Sequence, residues 1–89
     1  MTEAELRSII ATAIYQIMDR SSHTRLATVL AQDDFEFDQV TESSLVLTEL
    51  CFQIEEVLGI EIETNDLFEN PRLSHFIKQL QAKLAAANA

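Results

Sequence analysis

The chain has 89 residues, enough for one domain with a modest core, since a protein of this size buries roughly 60–68% of the surface its unfolded chain exposes. Six basic residues against 15 acidic ones give a formal net charge of -9, which repels nucleic acid and anionic membrane and favours protein partners with basic surfaces. With 47% hydrophobic residues but one Gly and one Pro, the composition excludes a disordered chain and leaves little material for hairpin turns or phosphate-cradling glycine loops.

Thr2 and Glu5 have the T-x-x-E spacing of a capping box, and Leu6, Ile9, Ile10, Ala13, Ile14, Ile17 and Met18 follow at helical spacing. This predicts a first helix over residues 3–19. The start MTEAEL has neither the basic nor the apolar region of a signal peptide, and no apolar run approaches the ~18–20 residues that cross a bilayer. Cys51 is the only cysteine, so an internal disulfide is excluded. A cytoplasmic protein, monomeric when free, is expected.

The stretch DRSSHTRLATVLAQDDFEFDQV carries a short helical possibility over residues 24–31, then turns acidic and irregular. It predicts a long connection, either a plain crossover or a functional loop, with Phe35 and Phe37 anchoring it on the core. From Ser44 the run SLVLTELCFQIEEVL has no breaker before Gly59, predicting a helix over residues 44–58. Leu45, Thr48, Cys51, Ile54 and Leu58 suit one side, while Val46, Leu47, Leu50, Phe52 and Val57 spread round much of the rest, so the helix either is deeply buried or leaves apolar surface for a partner. IEIETNDLFENP predicts a short extended piece and one helical turn over residues 66–69, with Thr64 as cap. Asn70 and Pro71 suit N-cap and N1 of a last helix carrying Leu73, Phe76, Ile77, Leu80 and Leu84, with residues 84–89 as a frayed tail. The expected architecture is one all-α domain over residues 1–89, a bundle of three main helices plus one or two short ones.

Catalysis finds little footing here. Ser44, Cys51, His23 and His75 have no spacing that assigns a nucleophile and a base, and no Gly-x-Ser-x-Gly elbow is present. Asp34, Glu36 and Asp38 stand two apart, but the glycine and closing glutamate of a calcium loop are missing, so a solvated acidic loop is expected and no metal site. Cys51 reads as a small buried hydrophobe. Ser43 and Ser44 both stand where a residue would cap the helix that follows.

Ser44-Leu45, then Glu49-Leu50, Glu55-Glu56, the apolar segment around Ile60 and Ile62, and DLFENPRLSHFIKQL together resemble the acyl carrier protein and peptidyl carrier protein family. The resemblance covers residues 44–80 well and the first helix loosely. It implies a three- to four-helix bundle of acyl-carrier-protein type with a long loop between the first and second main helices. It also implies that Ser44 is the attachment point of a covalent 4′-phosphopantetheine arm derived from coenzyme A. Ser43 stands where the family usually has Asp, and Thr41 where a Gly commonly precedes it. A phosphodiester on Ser44 would meet free N–H groups and the positive end of the helix dipole.

The implied protein is not an enzyme. It would hold an acyl or aminoacyl group as a thioester, served by a phosphopantetheinyl transferase, an adenylating ligase that loads the thiol and a downstream acyltransferase. Glu49, Glu55 and Glu56 would face basic residues of these partners. Val46, Leu47 and Phe52 either supply the dry centre of that contact or pack under the long loop. DLFENPRL leans toward an aminoacyl or other small acyl cargo, and acidity and size also suit fatty acyl carriers. A different class of reading is an acidic helical adaptor that keeps the fold and lacks the arm.

Overall fold

A computed structural model describes residues 1–87. The first helix, α1 (Glu3–Ile17), starts at the expected box: Thr2 Oγ1 accepts from the Glu5 N–H at 3.2 Å, and Glu5 returns an acceptor to the Thr2 N–H at 3.0 Å. That returned bond is the main reason the Glu5 carboxyl lies below its usual range. Leu6, Ile10, Ala13 and Ile14 form the buried stripe of α1. The helix stops two residues before the expected end. There His23 Nε2 lies 3.1 Å from the Tyr15 carbonyl and 3.3 Å from that of Met18, tying off the last turn.

A 3-10 turn (Arg20–Ser22) leads into α2 (His23–Leu30), which bears out the short helix expected in the first connection. Leu26 and Val29 anchor α2 in the core. The acidic run that follows is held at several points. Arg7 donates to the Gln32 and Asp33 carbonyls, and Phe35 and Phe37 are 3% and 0% exposed, as their anchoring role required. Phe37 stands edge-on between Phe35 and Phe76, with centroids 5.6 and 5.5 Å away, a geometry that adds to burial.

The second main helix, α3 (Ser44–Leu58), has the expected bounds. Gly59 ends it at φ 67°, a left-handed conformation that glycine enters without strain. Its core face is Leu47, Leu50, Cys51 and Ile54. These four come from both of the apolar groups read from the sequence. Leu45 is 78% exposed and Thr48 half-buried, while Leu47 and Leu50 are 5% and 1% exposed. Burial of each such leucine stabilises the fold by about 1.5–3 kcal/mol.

The short helix α4 (Thr64–Glu69) begins earlier than expected, with Glu63 rather than Thr64 in the cap position. Ile60 and Ile62 pack against the core without forming a strand. The last helix, α5 (Leu73–Ala87), does not start at Asn70-Pro71. Its first turn is satisfied from the other half of the chain. Asp34 accepts from the Ser74 N–H at 3.0 Å and the Ser74 hydroxyl at 2.9 Å, and the Phe35 carbonyl accepts from the Leu73 N–H at 2.9 Å. Arg72 adds ion pairs to Asp34 and Glu36, both at 3.3 Å. Desolvation pushes the Asp34 carboxyl upward, but these bonds outweigh it and hold it below the usual carboxylate range. Part of the supposed solvated acidic loop is therefore a helix cap. Residues 84–87, expected to fray, are helical; residues 88–89 lie outside the described residues.

The result is an all-α bundle in which α1 packs against α3 and α5, and α4 against α3. Among the described residues every fully buried side chain is apolar or the Cys51 thiol.

Candidate functional site

The run into α3 decides what its first residues present. A 3-10 turn (Phe37–Gln39) ends at buried Val40, whose N–H donates to the Phe37 carbonyl, as does that of Thr41. Thr41 Oγ1 accepts from the Ser43 N–H at 3.1 Å, and Ser43 Oγ accepts from the Val46 N–H at 3.4 Å. Ser43 is thus the N-cap.

Ser44 is the first helical residue and is exposed. The first intrahelical bond runs from the Leu47 N–H to the Ser43 carbonyl. The N–H groups of Ser44 and Leu45 therefore lie ahead of the helical ladder, at the positive end of the dipole. Thr48 Oγ1 donates to the Ser44 carbonyl at 2.8 Å, fixing the first turn from within. An exposed hydroxyl beside free backbone donors is a place where a covalently attached phosphate is electrostatically welcome.

From Ser44 the outer face of α3 carries Leu45, Glu49, Phe52 and Glu56 at i, i+4, i+7 and i+11, one continuous stripe. Leu45 is 78% and Phe52 59% exposed, and both glutamates are exposed. Isolated exposed apolar residues are ordinary; two large ones interleaved with carboxylates on one helix face form a surface suited to a partner with apolar hollows and basic rims. No basic residue occurs within α3, and Arg7, Arg25 and Arg72 are engaged with the long connection.

The other residues singled out from sequence fall elsewhere. Leu47, expected at a docking contact, belongs to the core. Val46 is half-buried and supplies the capped N–H, and Glu55 is half-buried next to Cys51. Cys51 is fully buried, and desolvation, with help from the Glu55 charge, pushes its thiol up to about 11. Leu45 was not named as a docking residue, although its spacing with Glu49, Phe52 and Glu56 contained the signal for the outer stripe. His23 serves α1, stacking edge-on with Tyr15 at 4.9 Å. Among the described residues, no group of three or more His, Cys, Asp and Glu side chains could hold a metal ion, and no helix is long and apolar enough to cross a membrane.

A surface cavity of about 190 Å³ lies between α1 and α3, lined by Ile9, Ala13, Gln53 and Val57 among others. Gln53 is about 13 Å along the helix from Ser44 and on the opposite side of it. The cavity and the serine are separate features.

The family model for the phosphopantetheine attachment site matches residues 24–80, from α2 to the middle of α5. No curated protein and no solved structure matches the chain significantly.

Proposed function

The chain belongs to the family defined by the phosphopantetheine attachment site, and on that premise we propose that Ser44 is the residue that carries the arm. The family's prosthetic group is 4′-phosphopantetheine, bound covalently, and its members are carriers that meet a phosphopantetheinyl transferase and further partner enzymes. The observation that carries the assignment is the pairing of roles at α3. Ser43 is occupied as the cap, while the exposed Ser44 hydroxyl stands beside N–H donors.

When attached, the arm supplies a thiol that holds cargo as an activated thioester. The residues of the chain bind, orient and present. The N–H groups of Ser44 and Leu45 would hold the phosphodiester, and the dipole of α3 favours its charge. A tether from a rigid helix end raises the effective concentration of cargo at each docked enzyme, so the carrier needs no catalytic residue of its own.

Docking on the stripe of Leu45, Glu49, Phe52 and Glu56 would join an apolar centre to carboxylates that steer basic partners. Glu55, half-buried, contributes field more than contact. The cargo is an aminoacyl or other small acyl group, loaded through an adenylate by a ligase and passed to an acyltransferase. The stacked Phe35, Phe37 and Phe76 fill the core beneath the long connection, and the cavity opens at the far end of α3. Both favour a small cargo over a sheathed long chain.

The test is the intact mass of the chain after incubation with coenzyme A and a broad-specificity phosphopantetheinyl transferase, beside Ser44→Ala. A phosphopantetheine-sized gain in the parent alone is expected. A gain that persists in Ser44→Ala refutes the site. No gain with several transferases leaves the acidic adaptor, with its stripe intact, as the better reading.

A further inference from the structure

Arg25 lies on α2, in the long connection, far from Ser44 in sequence, yet its side chain reaches the approach to α3. Its guanidinium donates from Nη1 to the Gln39 carbonyl and from Nη2 to the Val40 carbonyl, the latter at 2.9 Å. These carbonyls end the 3-10 turn of Phe37–Gln39, where unsatisfied acceptors and partial negative charge gather, so a two-pronged cation is well matched to them. Leu26 and Val29, buried on the same helix, fix the base of the arginine. Val40, itself buried, fixes the far end of the clamp.

Only Thr41, Glu42 and Ser43 separate Val40 from Ser44, and they are linked in series. The Thr41 N–H holds the Phe37 carbonyl, Thr41 Oγ1 holds the Ser43 N–H, and Ser43 Oγ holds the Val46 N–H. We propose that Arg25 is a positioning residue for arm attachment, and that α2 serves in part as the mount from which its guanidinium clamps the approach to Ser44. The inference rests on Ser44 being the attachment site. Without the clamp the approach samples open conformations, and a transferase binds only the closed fraction. The loss therefore falls on KM for the carrier more than on kcat.

The experiment compares the parent, Arg25→Met and Arg25→Lys. It reads amide hydrogen exchange of the unmodified chains, and kcat and KM for arm transfer from coenzyme A. In Arg25→Met, exchange at Thr41 and Ser43 is expected to quicken about tenfold while Leu50 and Ile54 stay as in the parent, and kcat/KM is expected to fall about tenfold through KM. Arg25→Lys keeps the charge and loses the fork, so it is expected to recover only part of either effect. Parent-like exchange in Arg25→Met overturns the proposal. So does full recovery of transfer by Arg25→Lys while exchange stays fast, because that would make Arg25 a direct charge contact with the transferase. If Arg25→Met does not fold, Arg25→Lys decides alone by the same two readouts. A parent that takes no arm overturns the Ser44 assignment, while exchange on the unmodified chain still judges the clamp.

Discussion

Phe52 and Leu47 lie on the same helix, and truncating each to Ala separates its two faces. Phe52 is 59% exposed. Of the roughly 200 Å² that an aromatic side chain presents, ~120 Å² is then available to a partner, worth up to ~3 kcal/mol at ~25 cal/mol per Å². Ordering and imperfect fit reduce that figure, so the expected loss of affinity for the phosphopantetheinyl transferase lies between about 10-fold and 150-fold. Stability of Phe52→Ala should stay within about 0.5 kcal/mol of the parent. Leu47, at 5% exposure, behaves in the opposite way. Leu47→Ala removes buried volume at a cost of about 2–5 kcal/mol, which for a domain this small lowers Tm by about 10 °C or more. The assay is a melting curve by circular dichroism together with KM of the transferase for each unmodified chain, taken well below the lower Tm. If Phe52→Ala melts as early as Leu47→Ala, or folds normally and docks with unchanged KM, the two-faced reading of α3 is wrong.

The cap supplied by Asp34 should appear in the pH dependence of stability. Its carboxyl is held below the ordinary value of 3.8, so its contribution is present above that value and disappears as pH falls through the lowered one. Asp34→Asn should cost about 1 kcal/mol at pH 7 and progressively less below about pH 4, read as urea midpoints across that range; an undiminished difference in acid would contradict the assignment. Cys51, with its thiol pushed up to about 11, should react with a thiol reagent at pH 8 at least about 100-fold more slowly in the native chain than after unfolding in guanidinium chloride. Equal rates would mean that the thiol is accessible.

Element boundaries that depend on neighbours in sequence were legible. The capping box at Thr2 and Glu5 and the glycine at position 59 are local devices, and α1 and α3 begin or end where these residues stand. The start of α5 was not legible, because the group that satisfies it, Asp34, lies 40 residues away in sequence. No local pattern separates such a carboxylate from a solvated one. The core face of α3 was not legible for another reason. Apolar residues occur nearly all round this helix, so periodicity alone did not choose between Leu45 and Leu47 for the core, and only packing against α1 did.

Composition and periodicity therefore sufficed for an acidic all-α bundle, and the resemblance carried by residues 44–80 implied the carrier and its arm, because each depends on residue types and short spacings. Tertiary structure decided which apolar residues of α3 face outward, which carboxylate satisfies the start of α5, and which arginine holds the approach to α3. Those outcomes depend on contacts between segments distant in the chain, where burial and hydrogen bonding are determined by the assembled bundle and not by any one stretch of it.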